Sequence, residues 1–378
     1  MNILIATDKF KDALPASSVC NFLKKGILQT FPDANCSLLP LADGGEGTLE
    51  SLQTALGGVF KNVKVFDPYF RNIIAPYLYL EDSKIAVIEM ARASGIELIE
   101  PKDRNCLKTT SYGTGQQIID AIKNGAREII LTVGGTATND AGIGIASALG
   151  FKFLDEQNRE VIPIGENLTK ITQICTTYLF ESLSEVKFTI ATDVTNSFYG
   201  EKGAAYVFAR QKGAADDDII LLDEGLRKFA TVLENNYFNN PQSLIGAGAG
   251  GGVAGGLACL LNAEIISAAS WILQINKFSQ LLENNVILIT GEGKVDSQTW
   301  DGKLISEILI MAQNAKVPVV VVCGTLQGIN EIVAQPAVLY ATSILKEPLT
   351  LPEAIKQSPQ LIENQGILLG KLLSKITL

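Results

Sequence analysis

The chain has 378 residues, 47% of them apolar and 19% charged, which supplies a sizeable core and two domains or one large α/β unit, and excludes general disorder. Lys and Arg total 31 against 40 Asp and Glu, a net charge of −9 with no basic run, so nucleic acid is not an expected partner. Histidine is absent, which rules out Ser-His-Asp triads, Cys-His dyads and HExxH zinc sites and leaves acid-base work to carboxylates, Lys, Tyr or Cys.

In chain order, residues 3–6 form a short apolar run that reads as a buried strand and is too short for a signal peptide. The six cysteines are scattered singly, without a CxxC pair, as expected of small buried hydrophobes in a reducing compartment. A cytoplasmic location follows. Pro15 opens an amphipathic helix with Val19, Phe22, Leu23, Gly26 and Ile27 on one face, and residues 36–39 are the next strand. Residues 74–80 and 85–90 flank Glu81-Asp82-Ser83 as an antiparallel hairpin, and residues 151–154, running into a turn at 155–158, read as the start of a second one. Strands are also expected at 129–133 and 188–192.

Residues 244–261 carry no charge and imitate a membrane span, yet seven of the eighteen are Gly and the flanks lack anchors, so the stretch reads as a buried Gly-rich loop and helix start. Further strands fall at 286–290, 317–323 and 338–341, with a helix carrying Leu304, Ile305, Ile308, Leu309 and Ala312 between the first two. The wound βαβ texture at both ends and the α+β texture between them imply a doubly wound parallel domain, residues 1–62 and 285–378, interrupted by an inserted α/β (α+β) domain, residues 63–284. A catalytic cleft is expected between them.

Ligands of open parallel sheets bind beyond the carboxyl ends of the strands, so the residues just after each strand are the candidates for chemistry. The first strand exits into Asp8-Lys9-Phe10-Lys11-Asp12, the second into Asp43-Gly44-Gly45-Glu46-Gly47-Thr48, and the strand at 286–290 into Gly291-Glu292-Gly293-Lys294-Val295-Asp296. Lysines supply charge for phosphate, glycine turns before helices expose N–H groups to anions, and carboxylates suit magnesium shared with phosphate. Together they are the components of phosphoryl transfer. In the inserted segment, Gly134-Gly135-Thr136-Ala137-Thr138-Asn139-Asp140 can cradle an anion or simply make a capped turn, and Asp193 leaves a strand where a general base could stand. Gly246-Ala247-Gly248-Ala249-Gly250-Gly251 fits GxGxxG, but no strand precedes it, and there is no GxxxxGK[ST]. Trp271 and Trp300 read as packing residues.

Seven motifs in order, Asp8-Lys9-Phe10-Lys11, Ala42-Asp43-Gly44-Gly45-Glu46-Gly47-Thr48, Glu89-Met90-Ala91, Tyr112-Gly113-Thr114-Gly115, Gly134 to Asp140, Ala191-Thr192-Asp193-Val194 and Thr290 to Asp296, resemble those of the type I glycerate kinase family. The sequence departs from the family pattern at Lys9 and Asp12, where Ser and Gly are usual. The resemblance spans essentially the whole chain. It implies a flavodoxin-like domain with an inserted α/β domain, and ATP-dependent phosphorylation of D-glycerate, to the 2-phosphate in preference to the 3-phosphate.

Chemistry then suggests roles. Lys11 and Lys294 would neutralise phosphates or the carboxylate, Asp43, Glu46 or Asp296 would hold Mg²⁺, and Asp193 would accept the hydroxyl proton. Asp8, Arg71, Gly134, Gly135, Thr136, Asn139 and Asp140 would bind the acid, and Gly44, Gly45, Gly47, Thr48, Gly291, Glu292 and Gly293 the nucleotide phosphates. The rival readings are an NAD(P)-dependent oxidoreductase using the Gly246 to Gly251 loop and a non-catalytic two-domain sensor of a small hydroxy acid. No membrane partner is expected.

Overall fold

The computed structural model describes residues 1–376 apart from Asp43, Glu46, Phe238, Ser297, Gln298 and residues 300–303. The expectation for Trp300 lies outside the described residues. The chain divides into two compact units, residues 1–43, 50–56 and 269–378 in the first and residues 44–49 and 57–268 in the second.

In the first unit the expected strands pair in parallel. Asn2–Thr7 sits between Asn35–Leu38 and Ile287–Gly291, and Val319–Cys323 and Val338–Ser343 complete the sheet. Numbered within the unit, the order is 2-1-3-4-5, the flavodoxin-like order. Strand alternation sends Ile3, Ile5, Ile287, Ile289, Val320 and Val322 to one face, where they cluster with Val19, Leu23 and Ile27 of the helix Ala16–Thr30 and Ile362 and Leu369 of the helix Leu351–Leu373. Leu4, Ala6, Leu288, Val319 and Val321 face the other way and cluster with Ile272, Phe278, Leu282 and the expected stripe of the helix Leu304–Ala315. Helices therefore cover both faces, which is why the strands are apolar throughout rather than alternating. The helices Ala16–Thr30 and Leu351–Leu373 meet at Gly26, where a Cβ would lie 2.1 Å from the Glu363 carbonyl oxygen.

The second unit holds a six-stranded mixed sheet. Glu264–Ile266, Lys187–Ala191, Glu128–Thr132 and Ile85–Glu89 are parallel, and Asn72–Leu80 and Val59–Phe66 extend the sheet antiparallel. The expected hairpin is present, with Leu78 opposite Val87. Its second strand also pairs in parallel with Glu128–Thr132, because the helix Tyr112–Lys123 carries the chain back across the sheet, so this unit is more nearly α/β than its texture indicates. Asp155 closes the turn after Lys152–Leu154 by accepting the N–H groups of Gln157 and Arg159, and that strand's ladder partner is Gln173–Cys175. The uncharged Gly-rich stretch is a run of turns leading into the buried helix Val253–Leu261, and among the described residues no helix is long and apolar enough to cross a membrane.

Besides the changes at 43/44 and 49/50, the units change over at 56/57 and 268/269, where 62/63 and 284/285 were expected. Asn62 lies inside Val59–Phe66, which pairs along its length with Asn72–Leu80. At the other side, Ala269, Ile272, Leu273, Phe278 and Leu282 are buried in the core of the first unit. All six cysteines are free and five are buried.

Candidate active site

A 2-1-3-4-5 sheet has its switch point between the first and third strands, and the loops at their carboxyl ends flank the binding crevice of such folds. Here these are the loops after Asn2–Thr7 and after Ile287–Gly291. They touch: the Asp8 N–H donates to the Gly291 carbonyl at 2.9 Å, and a Cβ on Gly293 would lie 3.1 Å from the Lys11 nitrogen. Asp8 is buried and its Oδ1 accepts the Lys9 N–H at 2.6 Å. Glu292 Oε1 accepts the Thr299 hydroxyl at 2.8 Å, and Thr299 Oγ1 accepts the Asp296 N–H at 3.1 Å. Lys294 Nζ stands 2.8 Å from Asp296 Oδ2, so two expected site residues of opposite charge form an ion pair. Lys11 is exposed. Gly291 has a packing reason to be glycine, since a Cβ there would lie 1.7 Å from the Val322 carbonyl oxygen on the neighbouring strand.

Two of the three expected magnesium ligands, Asp43 and Glu46, lie outside the described residues. The third, Asp296, is engaged by Lys294. Among the described residues no cluster of three or more His, Cys, Asp or Glu side chains is arranged to hold a metal ion.

In the second unit, Glu89, Thr132, Ala191 and Ile266 are in register and mark the carboxyl edge of the four parallel strands. Several expected motifs meet just beyond it. Asp193 Oδ1 accepts the hydroxyl of Ser267 at 2.8 Å. A Cβ on Gly44 would lie 2.8 Å from the Ala268 Cβ, and the φ of +81° at Gly44 is itself a glycine conformation. Gly134 approaches Gly45 so closely that a Cβ on it would lie 3.1 Å from the Gly45 Cα, while Gly135, at φ +68°, faces Ala91. Thr48 donates its hydroxyl to the Gly45 carbonyl at 2.5 Å, closing the turn that holds Gly47 and starts the helix Thr48–Leu56. Gly44, Gly45, Thr48, residues 89–91, residues 134–136 and Asp193 thus share one sheet edge with Ser267, which sequence reading passed over. Glu89 is 1% exposed and its Oε2 lies 3.4 Å from Arg92 Nε.

Two other expected residues, Asp140 and Asn139, turn inward, and Arg71 is tied up at the surface. Asp140 is fully buried. Its Oδ2 accepts the Ser111 N–H and hydroxyl at 2.8 and 2.7 Å and the Gly144 N–H at 3.3 Å, and its Oδ1 accepts the Gly142 N–H at 3.1 Å. The expectation that Asp140 contacts the acid gives way here to a carboxylate tying the start of the helix Ile143–Ala148 to Ser111. Burial raises its pKa, opposed by those four donors. Asn139 is also fully buried, and neither of its amide atoms has a partner among the described residues. Arg71 bonds Asp67 through its Nε and its N–H, closing a surface turn with its guanidinium over the Tyr69 ring.

Thr136 is 5% exposed, and its Oγ1 is 3.2 Å from the ammonium of Lys212, which also donates to the Thr138 carbonyl at 2.7 Å. Burial lowers the Lys212 pKa to about 8. Lys212 was invisible in the sequence because Arg210-Gln211-Lys212-Gly213 has the composition of an exposed turn.

The Gly246 to Gly251 loop packs as structure. It follows the 3₁₀ turn Pro241–Ser243 rather than a strand, and Cβ atoms on Gly248 and Gly251 would lie 2.3 Å from the Ser197 and 2.1 Å from the Thr138 carbonyl oxygens. The oxidoreductase reading therefore loses its one motif.

A profile of the glycerate kinase family matches residues 3–374. The chain is 40% identical to a glycerate kinase from Halalkalibacterium halodurans over 361 residues, 96% of this chain and 95% of the relative. It is 36% identical to a glycerate 2-kinase from Escherichia coli over 356 residues, 94% and 93% of the two chains. Among solved structures, one of a protein from Salmonella typhimurium LT2, provisionally named glycerate kinase 2, superposes with a TM-score of 0.86 at 33% identity, covering 99% of this chain and 98% of the other. With the flavodoxin-like order and the motif-bearing sheet edges in place, that end-to-end similarity shows that the chain is an enzyme, a kinase, and belongs to the glycerate kinase family.

Proposed function

We propose that this kinase transfers the γ-phosphoryl group of MgATP to D-glycerate in the cytoplasm, at the 2-hydroxyl in preference to the 3-hydroxyl. The observation that carries this reading is the end-to-end similarity to glycerate kinases, with a relative named glycerate 2-kinase supporting the choice of hydroxyl. In the reaction the substrate oxygen bonds to the γ-phosphorus, the bond from that phosphorus to the β-phosphate oxygen breaks, and the hydroxyl proton leaves. Asp193 is the acceptor we assign to that proton. Its carboxylate stands at a strand exit, oriented by the Ser267 hydroxyl. The amides of Gly134 and Gly135 and the Thr136 hydroxyl are assigned to an oxyanion of the bound substrates, and Lys11, Lys294 and the Gly291 to Gly293 turn to phosphate. Magnesium enters as part of the nucleotide substrate, so no step is routed through a protein-held metal.

The test is a phosphorus NMR spectrum of the product formed from ATP, Mg²⁺ and D-glycerate. 2-Phosphoglycerate is expected, 3-phosphoglycerate would overturn the regiochemistry, and no phosphoglycerate would overturn the substrate. Asp193→Asn should lower kcat by roughly 10² to 10⁴ with little change in KM for ATP if Asp193 takes the proton. Near-normal turnover would remove it from that role.

A further inference from the structure

Lys212 is 4% exposed, yet no carboxylate lies within ion-pair distance of it among the described residues. Burying an ammonium is costly, and this one is held only by a hydroxyl and a carbonyl of the 134–138 segment. Its backbone is clamped. The Lys212 carbonyl accepts the Cys106 N–H at 3.1 Å, and the next residue, Gly213, takes φ +92° where a Cβ would lie 2.0 Å from the Arg104 carbonyl oxygen. The side chain is thus delivered to the underside of the glycine loop from a fixed base.

The hydrogen bond has a direction. An ammonium has only protons to offer, so Thr136 Oγ1 must accept from Lys212, and the threonine keeps its own proton. No acceptor among the described residues takes that proton. On the same segment, the Thr138 hydroxyl and both amide atoms of Asn139 are buried without partners among the described residues, a concentration of unused polar capacity that ordinary packing avoids.

We propose that Lys212 is a positioning residue for the Gly134 to Thr136 loop, acting through Thr136, whose hydroxyl proton it leaves committed to an oxyanion of the bound substrate. This rests on the assignment of that loop to a substrate oxyanion. The oxyanion is either the carboxylate of the hydroxy acid or a phosphate of the nucleotide, and the two are told apart by which KM moves. Burial lowers the Lys212 pKa from 10.5 to about 8, opposed by the charges of Cys106 and Asp140, so a hydroxyl drawn against it feels a positive charge that is poorly solvated.

The experiment is a double-mutant cycle on Lys212→Met and Thr136→Val, with Thr136→Ser as the conservative control, measuring kcat, KM for D-glycerate, KM for ATP and thermal unfolding. Each single change should raise one KM tenfold or more while kcat stays within a few-fold, the pattern of lost uniform binding. The double variant should be no worse than the more damaged single one, and Thr136→Ser should stay near wild type. A KM change for D-glycerate identifies the carboxylate, one for ATP the phosphate. Unchanged KM values in Lys212→Met, or effects of the two changes that multiply in full, overturn the proposal, as does a loss of thermal stability with no KM change. If Lys212→Met does not fold, Thr136→Val with normal KM values overturns it instead. Wild-type protein inactive on D-glycerate would sink the substrate reading separately, and the same cycle would then be read from ATP affinity by calorimetry.

Discussion

Replacing Lys212 should change how stability depends on pH. Its Nζ lies between the Thr136 hydroxyl and the Thr138 carbonyl, and burial lowers its pKa from 10.5 to about 8. At about 1.4 kcal/mol per tenfold, keeping the protonated form in the fold costs on the order of 3 kcal/mol. The unfolded chain holds this proton more tightly than the native one, so between about pH 8 and pH 10.5 the unfolded state carries more protons and stability rises with pH. Below pH 8 the cost is felt in full. Lys212→Met keeps the stem and removes the titration. The difference in unfolding free energy, wild type minus variant, measured by urea denaturation at pH 7 and pH 9.5, should therefore shift toward the wild type by about 2 kcal/mol. Every other group is common to both proteins and drops out of the difference. A difference that stays constant between the two pH values would show that Lys212 is not held as a buried, desolvated amine.

Asp140→Ala removes the acceptor for four donors, and at about 1–3 kcal/mol per buried unsatisfied donor it should destabilise the protein by roughly 4 kcal/mol or more in urea unfolding. A loss below about 1 kcal/mol would mean those contacts are re-satisfied by water. Gly26→Ala raises helix propensity by about 1 kcal/mol but places a methyl against the Glu363 carbonyl, so it should lower Tm, and a raised Tm would show that the two helices separate easily. Lys11→Ala should lower kcat on the order of a hundredfold if the exposed ammonium stabilises transferring phosphate, and normal turnover in a folded variant would remove Lys11 from the site.

The first unit was largely legible because its strands are buried on both faces and so appear as short apolar runs with branched residues, as at 287–291 and 319–323. Their spatial order was not legible from periodicity, since the pairing of Asn2–Thr7 with Ile287–Gly291 joins residues nearly the whole chain apart. The resemblance supplied that. The late boundary has a similar cause. The stripe Ala269, Ile272, Leu273, Phe278 and Leu282 announces a buried helical face but carries no label saying which core buries it. In the second unit, the parallel pairing of Ile85–Glu89 with Glu128–Thr132 was hidden behind a hairpin signal that is also correct, because one strand serves both partners.

The functional edge was legible in its glycines and carboxylates but not in what supports them. Gly134 and Gly45 each read as anion-binding turns, and the structure adds that the two turns touch, so either could be glycine for the sake of the other. Asp140 and Lys212 carry the charges that sequence reading most readily gives to a substrate or to solvent, respectively. Asp140 is instead surrounded by backbone N–H groups and a serine, and Lys212 by a threonine and a carbonyl. What decides such cases is the environment delivered by residues distant in sequence: Ser111 for Asp140, and Arg104 and Cys106 for Lys212. A charged residue in a glycine-rich motif is thus ambiguous until its donors and acceptors are counted. When they are counted among the described residues, Thr136 with its proton and Asn139 with its amide keep capacity to spare on a loop that both the motifs and the sheet edge mark for a ligand.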